Sequence, residues 1–97
     1  MTRENYFKFK KKLMNTGNIY KVNKKGNFIT VIPDQAKEIW NFEDFIDELF
    51  YKIDKNYNDY YIKNSNMFGI SSKLGCFDVV DFEQSNSTIY SFKLKIS

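Results

Sequence analysis

Ninety-seven residues, 42% of them hydrophobic and 19% aromatic with ten Phe and seven Tyr, suffice for one domain over residues 1–97 with a core of its own. The single cysteine, Cys76, excludes an intramolecular disulfide, and the lack of any histidine removes the commonest general acid–base and the usual zinc ligand. The net charge of +3 hides a division: residues 1–33 carry eight Lys or Arg against Glu4 alone, whereas residues 34–62 carry eight carboxylates against Lys37, Lys52 and Lys55, an asymmetry that bears on partners rather than on fold.

Taken in chain order, Thr2 to Met14 is expected to form a short N-terminal helix. Tyr6, Phe9 and Leu13 share a stripe, Thr2 caps the start and Gly17 lies past the end. The alternation Phe7-Lys8-Phe9-Lys10 leaves an edge strand as the alternative. Ile19–Asn23 and Phe28–Ile32 are β-prone runs joined by Lys24-Lys25-Gly26-Asn27, a hairpin with glycine where the loop needs positive φ. Pro33 ends the second run, and Asp34 can cap a helical turn through Trp40.

The stretch Asn41–Ile53 carries the strongest pattern. Phe42, Phe45, Ile46, Leu49, Phe50 and Ile53 recur at i, i+3, i+4, i+7, i+8 and i+11, one stripe of a helix that Ile39 and Trp40 would extend. Asn41 is a good N-cap, and Glu43 and Asp44 fall in the first turn, where the macrodipole favours them. Beyond it, Tyr57–Lys63 reads as a strand, Asn64-Ser65-Asn66 as a turn and Met67–Ser71 as a shorter strand. Lys73-Leu74-Gly75 turns into Cys76–Phe82, where adjacent Val79 and Val80 signal a bulge or burial on both faces. In Thr88–Ile96 alternation sends Tyr90, Phe92, Leu94 and Ile96 one way and Ser91, Lys93 and Lys95 the other. The assembly implied is an α+β domain: a small antiparallel sheet of about five or six strands with the amphipathic Asn41–Ile53 helix packed on one face.

Catalytic and metal chemistry find little purchase. Cys76 opens a strand of buried character and lacks a basic partner of the usual kind. The four glycines are scattered singly, so no phosphate loop forms. Asp54-Lys55-Asn56-Tyr57-Asn58-Asp59 begins like a calcium loop, then places Asp59 where glycine is required and Ser65 where a bidentate Glu is required. A non-enzymatic protein without catalytic residues, metal or cofactor is expected.

Two surfaces carry the functional expectations. Glu43/Asp47 and Asp44/Glu48 are like-charge i, i+4 pairs, each costing a helix about 0.2 to 0.5 kcal/mol. A face chosen only for solubility would mix signs. Glu43, Asp44, Asp47 and Glu48, with Asp54, Tyr51 and Tyr57, are therefore expected to bind a protein partner by occluding a basic, nucleic-acid-handling groove. That is the manner of the small anti-CRISPR or anti-restriction inhibitors of phages and mobile elements, and the small size and the Lys-, Asn-, Ile-, Phe- and Tyr-rich composition of an AT-rich gene fit it. The bland alternative is that the N-terminal cations neutralise these acids within the domain. A second reading is a nucleic-acid-binding accessory protein using Lys8, Lys10, Lys11, Lys12, Lys21, Lys24 and Lys25 with Tyr6, Phe7 and Phe9, and a third is an oligomeric structural subunit. No segment approaches the roughly 20 apolar residues that span a bilayer, and no apolar run follows the lysines to make a signal peptide, so a soluble cytoplasmic protein is expected.

Overall fold

A computed structural model of the chain describes residues 1–35, 39, 41–61, 68–86 and 88–96. Helix α1 spans Arg3–Met14; Thr2 is extended, and its hydroxyl accepts the Asn5 N–H at 3.1 Å, satisfying a donor that the first turn leaves open. Strands β1 (Ile19–Lys25) and β2 (Phe28–Pro33) form the hairpin, with Gly26 at φ +61° in its turn. Helix α2 covers Phe42–Ile53. Asn41, at φ −140°, accepts the Asp44 N–H at 3.0 Å and so sets where the helix begins. Four strands follow: β3 (Asn58–Tyr61), β4 (Phe68–Ser72), β5 (Gly75–Ser85) and β6 (Thr88–Ile96).

The strands make one antiparallel sheet in the order β1-β2-β6-β5-β4-β3. The last strand in sequence lies at the centre, bonded to β2 on one side and β5 on the other. Both helices cover one face. Phe9 of α1 stacks on Phe77 of β5 with ring centroids 4.5 Å apart, and Phe50 of α2 reaches the same ring at 6.2 Å. Phe42 stacks on Phe82 at 4.3 Å and meets Phe92 edge-on at 5.7 Å. All six apolar residues of the α2 stripe face this core: five are buried, and Phe45 is half-buried with its ring 6.2 Å from Phe92. Each fully buried Leu, Ile or Phe contributes about 1.5 to 3 kcal/mol, so the layer between helices and sheet, rings and aliphatic side chains together, dominates the stability.

Irregular register breaks the simple alternation in two places. The pairing slips between Val79 and Asp81, the bulge that adjacent valines foreshadow, and Phe82 regains the helix-covered face. A second slip, between Glu83 and Gln84, corrects the reading of β6. Phe92 and Leu94 are buried and Ile96 packs on the core, but Tyr90 is 49% exposed and Ile89 is buried instead, because β5 skips Tyr90 in the ladder. Cys76 is exposed, contrary to its expected burial; it pairs with Ser71 on the uncovered face and its thiol lies 3.5 Å from the Ser71 hydroxyl. Among the expected features, the helical turn through Trp40 and the strand beyond Tyr61 fall outside the described residues. No helix among the described residues is long and apolar enough to cross a membrane.

Candidate functional site

The solvent side of α2 carries the four carboxylates. Glu43, Asp44 and Glu48 are exposed, and Tyr51 beside them is 54% exposed. Glu48 pairs with Lys52 of its own helix at 3.6 Å. The only other ion pair among the described residues is Glu4–Lys8 at 3.5 Å, within α1. Lys12, the α1 cation that reaches towards α2, donates instead to the Ile53 carbonyl at 3.4 Å, at the negative end of the α2 dipole. Among the described residues, the N-terminal cations therefore leave the α2 acids unneutralised.

Asp47 is different. It is half-buried, and its Oδ1 is enclosed with no hydrogen-bond partner among the described residues. The register explains its neighbours: Asp59 of β3 stands opposite core-facing Ile70, which turns its side chain towards α2. Asp59 is exposed at the sheet edge, and partial desolvation beside Asp47, together with the charges of Asp47 and Glu43, pushes its carboxyl up to about 6. The Tyr57 hydroxyl is pushed up to about 12 by burial and by the nearby carboxylates of Asp47 and Asp59. Beside this seam lies a cleft of about 140 Å³ lined, among the described residues, by Glu43, Asp59, Tyr60 and Phe68.

The electrostatics carry a sign. Asp59 holds its proton more tightly in the folded chain than the unfolded value of 3.8, so stability falls as pH rises from about 4 to about 6. Asp59→Asn is expected to raise stability at pH 8 by about 1 kcal/mol after allowance for solvent screening, with the gain vanishing below pH 4. Denaturant titrations of both proteins at the two pH values check this.

Two residues expected on the docking face are placed elsewhere. Asp54 is buried, and its carboxylate accepts the N–H of Lys73 at 2.9 Å and of Asn56 at 2.9 Å. Those two bonds hold its carboxyl below the usual range and fasten the end of α2 to the β4–β5 turn. Tyr57 is half-buried beside Phe50, with ring centroids 6.4 Å apart, and belongs to the seam rather than to an exposed anchor. Asp59, in sequence only the residue that spoils a calcium loop, joins the acidic group. Its membership depends on which helix the edge strand lies beside, which no local pattern reveals.

The basic set divides in two. Lys8, Lys11 and Lys12 are exposed on α1 and Lys10 is half-buried, all on the helix side of the sheet. Lys21 and Lys25 pair with Ile32 and Phe28 on the uncovered face, while Lys24 stands opposite core-facing Ile29 at the edge. Of the rings expected beside them, Phe9 is buried, Tyr6 is half-buried and Phe7 is 51% exposed beneath the Arg3 guanidinium at 5.5 Å. Among the described residues no three Cys, Asp or Glu side chains are grouped so as to hold a metal ion. No protein-family model, no curated protein and no solved structure matches this chain.

Proposed function

We propose that this protein is a non-enzymatic binding protein whose α2 carboxylates dock in a basic groove of a partner that handles nucleic acid, competing with the nucleic acid for that groove. The observation that supports the reading is the meeting of Glu43, Asp47 and Asp59 with no described cation against them. Gathering like charges costs stability, and a partner presenting Lys or Arg relieves that cost at the moment of binding. Glu43 and Asp47 stand one helical turn apart, about 6 Å along the axis, so a rigid helix offers spaced negative charges where a phosphate backbone would lie. Complementary fields also steer the encounter and speed association. Small anti-defence proteins of phages and mobile elements would act in this way.

The test is displacement. A nucleic-acid-handling enzyme retained on the immobilised protein is expected to be released by its own nucleic acid substrate and by rising salt. Retention undiminished by excess substrate would overturn the competition.

A further inference from the structure

No described element covers the sheet face turned away from the helices, and the register collects on it a group that no single stretch of sequence contains. Residues directly opposite in an antiparallel ladder share a face. Lys25, Phe28 and Lys95 form one row across β1, β2 and β6; Asn23, Thr30 and Lys93 form the next; Lys21 and Ile32 begin a third. Between them Ile29, Val31 and Leu94 point into the core. Lys25, Lys93 and Lys95, from two distant segments, thus stand around Phe28, with Lys21 two rows farther along the same face; Phe28 is 41% exposed, with the Lys93 ammonium 5.8 Å from its ring centroid.

Neighbouring strands are about 4.8 Å apart and alternate residues about 6.8 Å along a strand, so the four lysines line a track on the order of two or three nucleotides long with the Phe28 ring at one end. On β5, Asp78 and Asp81 stand opposite Lys95 and Lys93 and Glu83 opposite Ser91, yet neither lysine forms an ion pair with them, and Asp78 accepts the Tyr60 hydroxyl at 3.0 Å. These acids bound the patch on one side and confine an anionic chain to the β1-β2-β6 half. An exposed ring among cations suits an unpaired base with its phosphates; a duplex hides its base faces, and an acidic peptide offers no ring to stack.

We infer that this half of the open sheet face binds single-stranded nucleic acid, with Phe28 stacking on a base and Lys21, Lys25, Lys93 and Lys95 holding the flanking phosphates. The site lies across the sheet from the α2 carboxylates and does not depend on their role.

Fluorescence anisotropy with a fluorescein-labelled oligothymidylate of about ten nucleotides tests it. Binding at low salt is expected, weakened about tenfold by Phe28→Ala and by the bulk-retaining Phe28→Leu, the low end of what base–aromatic stacking contributes. The Lys93→Gln/Lys95→Gln pair is expected to reduce the slope of log Kd against log salt by about 1.4, two phosphates' worth. Lys8→Gln/Lys11→Gln, on the helix side, leaves the affinity within about twofold, as expected for cations outside the site. No binding at low salt, equal affinity for a duplex or for phosphatidylserine vesicles, or a loss caused by the α1 pair but not by Phe28→Leu would each overturn the assignment.

Discussion

Phe77→Ala is expected to cost about 4 kcal/mol of stability, close to the whole of what a small domain has to lose. Phe77 is fully buried, stacks on Phe9 of α1 at 4.5 Å and meets Phe50 of α2 at 6.2 Å. It stands opposite Ile70 and Ile96 in the ladder, so its ring is where both helices register on the sheet. Truncation removes the transfer energy of the ring, leaves a cavity that two helices cannot both collapse into, and dissolves an aromatic pair worth about 0.5 to 1.5 kcal/mol beyond its area. Phe7→Ala is the internal contrast: that ring is 51% exposed, and its loss should stay within about 0.5 kcal/mol. Urea titrations of the two variants measure the difference. A Phe77→Ala protein with a midpoint near that of Phe7→Ala would show that the helices do not pack on β5 as described.

Reversing Glu43, Asp44 and Glu48 to lysine, with Asp47→Asn, should weaken partner binding by about a thousandfold or more. Close charge pairs across an interface couple by roughly 1.5 kcal/mol or more each, and a reversal replaces attraction with repulsion. Glu43, Asp44 and Glu48 are exposed, so their replacement removes no packing; Asn is chosen at half-buried Asp47 because it keeps the shape and a hydrogen-bonding group against Tyr57 and Asp59. The first-turn acids and the Glu48–Lys52 pair are lost while the crowding of like charge is relieved, so stability should change by about 1 kcal/mol or less as affinity collapses, and association should now quicken with added salt where the native protein's slows. Affinity and salt dependence unchanged by the four replacements would remove α2 from the interface. A pH series adds a second signature. A basic partner favours the ionised form of Asp59, pushed up to about 6 in the free protein, so affinity should rise between pH 5 and 7 as the proton is given up beforehand.

Local physics is legible in the chain itself. The α2 stripe, its Asn41 cap, the Thr2 cap of α1 and the Gly26 turn depend on residues within a few positions of one another, and each forms as its spacing implies. What escaped depends on neighbours far apart in sequence. The insertion of β6 between β2 and β5 cannot be read from alternation, and with it went the meeting of Lys93 and Lys95 with Phe28. Tyr90 departs from the alternation because one skipped residue in the ladder inverts the face of everything beyond it. Cys76 looked apolar by company, yet its ladder position puts it on the uncovered side. Asp54 shows the same limit for charge: a carboxylate at a helix exit reads alike whether bare or spent on the N–H groups of Lys73 and Asn56. Asp59 became part of the acidic group only once β3 was placed at the sheet edge beside α2.

The carboxyl resonances of uniformly ¹³C-labelled protein, followed by NMR from pH 3 to 9, bear most directly on whether these acids stand together without a cation of their own. Asp59 is expected to titrate near about 6, raised by partial desolvation and by the charges of Asp47 and Glu43, and Asp47→Asn should bring it down. An Asp59 midpoint near 3.8, indifferent to Asp47→Asn, would mean the seam is open or already neutralised, and the docking surface built on it would fall.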